Sequence, residues 1–282
     1  MIEKRQGERA MKIKRVLCLV WVCVIPSLVQ PQIKQEKVAE FEKWEEYLKT
    51  AEILQSRRME ESEGVTRPWD LQMEKDGVAA RACWKDVEGR QRGYWEGWKW
   101  EVAAYRLDRL LGLNMVPPTV ERRFQGNKGS IQLWMEFMMN YATKQKDKID
   151  PPSYKVLPMN RSNYLRWTFD NLIANEDRHL NNILITPDWG LILIDHPRSF
   201  RTTKKFTKKL IYENKMKQLP RDFYQKLKDL TFESVQAAVG SYLREDEIRA
   251  MMTRRDLMVK EIEARIAELG EDKVLYEPKK NP

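Results

Sequence analysis

The sequence predicts an α+β fold in two lobes, a small lobe with an antiparallel sheet plus one helix and a large lobe that is mainly helical. Three observations predict it. Strand-length runs rich in Ile, Val, Trp and Met gather before residue 138, with one well-marked helix among them. Amphipathic helical stretches fill most of the chain after residue 160. Between the last two groups of helices, Ile183–Ile185 and Leu191–Ile194 read as two short buried strands around the turn Thr186-Pro187-Asp188-Trp189-Gly190. The expected organisation is a leader over 1–32, a small lobe with a lead-in helix over 33–138, and a large lobe with C-terminal helices over 139–282.

The leader reads as an export signal. Met11-Lys12-Ile13-Lys14-Arg15 is a basic start, and Val16 to Val29 is an apolar run broken by Pro26 and Ser27. It is short for a membrane span, which wants about 20 residues, and no clear small-x-small cleavage site follows. The segment is either cleaved or kept as a membrane tether with the rest of the chain outside. Either way the chain is expected to be exported: periplasmic, secreted or anchored. Of three Cys, Cys18 and Cys23 lie in this segment, so only Cys83 remains and no internal disulfide is expected in the mature chain. The first 32 residues hold six basic and two acidic side chains, which leaves +5 of the net +9 to the other 250. That mild excess makes no case for nucleic-acid binding.

Past the leader, Val38, Phe41, Trp44 and Leu48 share one helical face over Gln32 to Lys49, an amphipathic lead-in helix. Three strands follow, Ala51–Met59, Trp69–Glu74 and Ala79–Val87. The loop Glu60 to Pro68 joins the first two and holds a single Gly, so Gly64, Ser62 and Thr66 are the groups that could meet a phosphate. Lys85 lies on the third strand among apolar neighbours, where an unpaired ammonium costs free energy. Its expected partner is Glu101, at the start of the helix Trp100–Leu111, whose apolar residues recur at helical spacing and which Gly112 should stop. Gly89 to Lys99, rich in Gly and Trp, is expected to line the cleft. Val116 to Arg122 and Ser130–Phe137 read as two further strands. The second ends at Met135-Glu136-Phe137-Met138, where the hinge between lobes should lie and a nucleotide base would bond to backbone groups, near Glu136. Asn140 to Pro152 is a polar connector, and residues 161–174 form a helix.

That helix leads into Asn175-Glu176-Asp177-Arg178-His179-Leu180-Asn181-Asn182, an Asp five residues ahead of an Asn. A second Asp, Asp195, follows the second short strand. Phosphoryl transfer from a nucleoside triphosphate needs such a set: one carboxylate orients the attacking hydroxyl, while an Asn and another carboxylate hold a divalent metal against the phosphates. The other reading of this stretch is a hairpin with an Asn/Asp-rich surface loop. The only two His are His179 and His196, and no Cys/His metal cluster is present. After Asp195 come Arg198, Arg201, Lys204, Lys205, Lys208 and Lys209 with no acid between them. They would suit an acidic peptide, a phosphorylated substrate or an anionic lipid head group, or they form a solvated surface. The tail reads as helices over Pro220–Leu230, Thr231–Leu243 and Glu245–Leu269. The last has Ile248, Met252, Val259, Ile262, Ile266 and Leu269 in a stripe interrupted by Arg255, which favours packing on the large lobe and a monomer over a coiled-coil dimer.

Lys85, Glu101, Asn175-x-Asp177-Arg178-His179-x-x-Asn182 and Ile194-Asp195-His196 together resemble the atypical kinase superfamily. Its members include phosphatidylinositol 3-/4-kinase-like enzymes, HipA-like bacterial Ser/Thr kinases and the secretory-pathway kinases related to Golgi casein kinase. Their catalytic loop is written Asp-Arg-His, as here. The chain is also similar to small bacterial proteins that join a signal peptide to this kinase core. The resemblance spans about Ala51 to Arg201 and, more loosely, the helical tail. It implies a protein-kinase-like fold and ATP- and Mg²⁺- or Mn²⁺-dependent phosphoryl transfer to a hydroxyl. Asp177 would be the catalytic Asp, Asn182 and Asp195 the metal ligands, Lys85 the phosphate contact and Glu101 its partner. Arg178 or Lys85 would offset charge on the transferred group. The expected acceptor is a protein Ser or Thr; the alternatives are a lipid or small-molecule kinase and a nucleotide-binding pseudokinase. Three features depart from ordinary protein kinases: His196-Pro197 stands where Phe-Gly would, no Ala-Pro-Glu follows, and the phosphate loop is poor in Gly.

Overall fold

The computed structural model describes residues 40–60, 66–206 and 217–277. The expected leader, the first part of the lead-in helix, Ser62, Gly64, Thr207, Lys208 and Lys209 lie outside the described residues.

The chain begins with helix α1 (Phe41–Thr50). Strands β1 (Glu52–Arg58), β2 (Trp69–Lys75) and β3 (Val78–Lys85) follow. The Gly/Trp-rich stretch, read from sequence only as lining the cleft, is a second hairpin of β4 (Glu88–Gln91) and β5 (Tyr94–Gly97). Its turn is Arg92-Gly93, both at positive φ (45° and 91°), as a two-residue hairpin loop requires. Helix α2 (Trp98–Leu111) stops at Gly112, which takes the left-handed conformation at φ 69°. Strands β6 (Thr119–Phe124) and β7 (Asn127–Leu133) complete a five-stranded antiparallel sheet in the order β1-β2-β3-β7-β6.

This sheet is buried on one face by α1. Tyr47 and Leu48 pack with Leu71, Met73, Ala82, Trp84, Val120, Ile131 and Leu133. Trp84 lies across Gly129, where a Cβ would come within 2.7 Å of its indole and against the Lys85 carbonyl. Any larger residue there would push β3 and β7 apart. Because strand side chains alternate, Asp70, Cys83, Lys85 and Ser130 point to the opposite face.

Residues 134–138 cross from the sheet to the second core. Strand β7 ends at Leu133, four residues before the expected end at Phe137, and Glu136 stands exposed in the irregular crossing. Strand β8 (Met139–Asn140) and helix α3 (Tyr141–Lys146) follow, with Asn140 capping α3 through Thr143 N–H at 2.8 Å. Helix α4 (Ser153–Leu172) starts eight residues earlier than read from sequence. Pro158 sits inside it, and the carbonyl deprived of its partner belongs to Tyr154, at the exposed end of the helix. Strands β9 (Ile183–Ile185) and β10 (Leu191–Leu193) pair antiparallel around the expected turn, and β8 adds to β9.

From Arg221 the described chain is mainly helical: α5 (Arg221–Asp229), α6 (Phe232–Val239), α7 (Glu245–Leu269) and the single turn α8 (Glu271–Val274). Strands β11 (Leu219–Pro220) and β12 (Leu275–Tyr276) pair in parallel and close the end of the chain onto α5. Helix α7 has the expected bounds, but its buried face runs through Ile248, Met251, Arg254, Met258 and Ile262. The predicted stripe through Met252 and Leu269 is therefore off by about one residue, and Leu269 is exposed. The face packs on α4, α5 and α6 in a single large core shared with α2, β9 and β10. Among the described residues no helix is long and apolar enough to cross a membrane.

Candidate active site

Lys85, at the end of β3, reaches two carboxylates. Its Nζ lies 2.6 Å from Glu101 Oε1 on α2 and 2.6 Å from Asp195 Oδ1 after β10. Glu101 is almost fully buried, and its second oxygen accepts the His196 backbone N–H at 2.9 Å. Asp195 Oδ2 accepts from the Asn182 side-chain amide at 2.9 Å. Asp195 itself has φ 65°, a left-handed conformation that Asp tolerates better than most residues. Lys85, Glu101, Asn182 and Asp195 are thus one hydrogen-bonded cluster between the sheet and the β9–β10 hairpin.

Burial opposes charge on this cluster, and pairing outweighs it. The Lys85 ammonium loses solvation but is held well above its ordinary range by Asp195 and Glu101. Burial alone would raise Glu101; the Lys85 ammonium and the His196 side chain instead keep it well below the usual carboxylate range. Cys83 lies two residues before Lys85 on the same strand face, and burial pushes its thiol up to about 11, so it is inert at neutral pH.

Arg178 has a different place from the one expected. Its side chain is buried and turned away from the cluster, into the large core. Nε donates to both oxygens of Asp170 at 3.1 and 3.0 Å, and Nη2 to Asp170 Oδ1 at 3.0 Å. Nη1 donates to the Asn182 carbonyl at 3.0 Å and the Ile194 carbonyl at 2.7 Å. Nη2 also meets His196 Nε2 at 2.8 Å. A guanidinium has five N–H groups, and these contacts use them all. The expectation that Arg178 offsets charge on a transferred group is corrected accordingly. It ties the loop before β9 to the strand end after β10, and both to α4. His196 is fully buried; burial and Arg178 together keep it neutral, so Nε2 is free to accept.

Asp170, in the last turn of α4, is fully buried and also accepts from Asn175 Nδ2 at 3.1 Å. Asn175 in turn accepts the Asp177 backbone N–H at 3.1 Å. Asp177 is left on the surface of this braced loop, its side chain about one-third exposed. Its Oδ2 lies 2.8 Å from Arg198 Nη1. Arg198 was read from sequence only as part of a basic segment. Its guanidinium is held by Glu96 on β5, through Nε at 2.8 Å and Nη2 at 2.6 Å. Arg201 is likewise paired, to Glu176 at 2.9 Å, and donates to the Trp95 carbonyl at 2.7 Å. Arg198 and Arg201 are therefore neutralised within the chain, and the exposed charge of this segment falls to Lys204 and Lys205 among the described residues.

Thr66 lies half-buried in the turn that ends the loop between β1 and β2. Asn182 and Asp195 offer an amide oxygen and a carboxylate, the hard donors that suit Mg²⁺ or Mn²⁺. Among the described residues no three or more His, Cys, Asp or Glu side chains gather as an all-protein metal cage. One carboxylate and one amide fit a metal that completes its shell with nucleotide phosphates and water.

No family model matches the sequence, and no curated protein matches it. Solved structures do match in fold. The structure of hydra Fam20 with sugar aligns with TM-score 0.67 at 16% identity, covering 89% of this chain and 96% of that one. The Golgi casein kinase aligns with TM-score 0.62 at 17% identity, covering 89% and 81%. The Golgi casein kinase with Mn/ADP bound gives TM-score 0.62 at 16% identity over 86% and 81%. The chain therefore has a kinase-like α+β fold, similar to that of Fam20 and the Golgi casein kinase.

Proposed function

We propose that this chain transfers the γ-phosphoryl group of ATP, with Mg²⁺ or Mn²⁺, to the hydroxyl of a protein Ser or Thr. The observation that carries the reading is the Lys85 ammonium bridging Glu101 and Asp195, with Asp195 also bonded to Asn182. A buried Lys–Glu pair beside a partly exposed carboxylate is what a triphosphate site needs. The fold shared with a kinase bound to Mn/ADP supports the same reading.

In this mechanism Glu101 fixes Lys85, and Lys85 contacts the α- and β-phosphates. Asn182 and Asp195 would hold the metal, which would supply charge neutralisation at the phosphate oxygens. Asp177 accepts a hydrogen bond from the acceptor hydroxyl and aligns its oxygen for in-line attack. The base would bond to backbone groups of residues 134–138, next to Glu136, and Thr66 would meet a phosphate. The N-terminal basic and apolar run supports export, with the catalytic core outside the cytoplasm.

A second reading is a small-molecule or lipid hydroxyl acceptor. It is favoured by the sugar in the Fam20 structure and by Tyr94 and Trp95, exposed on the hairpin whose Glu96 holds Arg198. The test uses labelled ATP with Mg²⁺ or Mn²⁺, comparing γ- with α-label, on the chain itself and on acidic peptide, lipid, sugar and small-alcohol acceptors. Transfer of γ-label that is lost in Asp177→Ala and Asp195→Ala supports the proposal, and the best acceptor chooses between the two readings. Metal-dependent nucleotide binding without any transfer would make the chain a pseudokinase, and transfer of α-label would make it an adenylyl transferase.

A further inference from the structure

Arg198 is fixed from three sides. Its Nε and Nη2 donate to Glu96 Oε1 at 2.8 and 2.6 Å, and Glu96 is almost fully buried. Its guanidinium carbon lies 4.5 Å from the centre of the Tyr94 ring. Its own carbonyl accepts the Glu176 N–H at 3.2 Å, next to Asp177 in the chain. The preceding residue, Pro197, has a fixed φ and offers its carbonyl to Gly97 N–H at 3.0 Å. The remaining nitrogen, Nη1, forms an ion pair with Asp177 Oδ2 at 2.8 Å.

We propose that Arg198 is the positioning residue for Asp177, anchored by Glu96 and the β4–β5 hairpin; this deepens the phosphotransferase reading and rests on it. The logic is geometric. A carboxylate that orients a hydroxyl must present one oxygen in a fixed direction, and Asp177 stands on a surface loop where its side chain could otherwise swing. Arg198 pairs with Oδ2, and the other oxygen, Oδ1, lies 3.7 Å from Nε2 of the exposed His179. One guanidinium lies between two carboxylates, bound to Glu96 by charge-assisted hydrogen bonds and to Asp177 by an ion pair. The hairpin immediately precedes α2, which carries Glu101, so one element of the chain sets both the phosphate side and the acceptor side of the site. Pro197, which departs from the flexible Gly of ordinary kinases, is consistent with a segment built to hold this arginine still.

The test uses the full chain with Arg198→Met, Arg198→Lys, Glu96→Gln and the Arg198→Met/Glu96→Gln double variant. Two readouts are taken: steady-state kinetics with metal–ATP and acceptor, and amide hydrogen exchange over residues 175–182. Arg198→Met is expected to lower kcat by about 10- to 100-fold with KM for metal–ATP within about threefold of the parent. Arg198→Lys should recover part of the loss. Glu96→Gln should lose less than Arg198→Met, and the double variant should be no worse than Arg198→Met alone, because both act through one chain of contacts. Exchange in residues 175–182 should quicken in Arg198→Met. Unchanged kcat, or losses that multiply in the double variant, would overturn the proposal. If the parent transfers no phosphoryl group, the functional reading fails, and exchange alone judges the contact: unchanged protection in Arg198→Met then overturns the positioning role.

Discussion

Two ionic clusters lie one behind the other in this molecule and differ in a single respect. The Arg178–Asp170 cluster is sealed: Asp170 is 0% and Arg178 3% exposed, and all five guanidinium N–H groups are used. The Lys85 cluster is open: Glu101 is 3% exposed, but Asp195, which shares the same ammonium, is 39% exposed. His196 joins them, accepting from Arg178 at Nε2 and donating its backbone N–H to Glu101. A saturated buried pair can only hold structure, since it has no valence left for a ligand. A pair that shares one partner with solvent can exchange that partner for a phosphate and a metal. Residue type alone does not separate these cases; saturation does.

The sharpest way to break this comparison is to cut the sealed cluster. Asp170→Ala strands the Arg178 guanidinium in the core and should cost about 3–5 kcal/mol, read as a large fall in the denaturant midpoint or as failure to fold. A loss within the range of surface substitutions would show that Arg178 finds water. Next in size is Lys85→Met, which leaves Glu101 buried without its ammonium. It should cost about 1–3 kcal/mol of stability and weaken ATP binding, and adding Glu101→Gln should return part of the stability but none of the affinity. Stability lost with ATP affinity intact would make Lys85 a structural group.

Asp195→Ala should do the opposite of Asp170→Ala. It should abolish metal-dependent nucleotide binding in calorimetry while the melting temperature stays within a few degrees of the parent, about the effect of 1 kcal/mol or less. Undiminished Mg²⁺–ATP affinity would sink the metal assignment and, with it, the contrast between open and sealed.

The smallest effect concerns Asp108 on α2, a buried carboxyl outside both clusters. Its Oδ1 accepts the Met115 and Val116 N–H groups at 3.0 and 3.3 Å, and Oδ2 has no partner. Burial pushes it from its ordinary 3.8 up to about 7. Between these values the folded chain keeps a proton that the unfolded chain releases, so stability falls as pH rises from about 4 to 7. Asp108→Asn should flatten the melting-temperature profile across that window. An unaltered slope would mean that the carboxylate is solvated in the folded state.

The sequence revealed most where local signals were strong. The strands Ile183–Ile185 and Leu191–Leu193 are apolar runs around a Pro-containing turn, and the Lys85–Glu101 contact joins a lysine in an apolar strand to an acid beside the apolar stripe of α2. Long-range pairing was hidden. Nothing in the spacing of Asp170 and Arg178 says that their side chains fold back on each other, because α4 looks like any helix end with an acid in it. The β4–β5 hairpin had a signal, Arg-Gly between short alternating runs, but its strands are only four residues each. Glu96 was therefore lost along with Arg198, whose surroundings in sequence are simply basic. The start of α4 was hidden by Pro158. The face of α7 was misplaced because one of its fully buried positions carries a charge, Arg254, which hydropathy puts outside.

That arginine has a consequence for the order in which the molecule can be completed. Arg254 is fully buried, and it donates to the carbonyls of Leu172, Arg201 and Thr203. It thereby joins the end of α4, just ahead of the Asp177 loop, to the segment that follows Arg198. A chain emerging from the ribosome presents Lys85, Asp177 and Asp195 long before α7. The three carbonyls have no such donor until Arg254 is made. Premature ends in the first turns of α7, before Arg254, would thus yield chains that contain every candidate site residue and still lack the clasp that seats them.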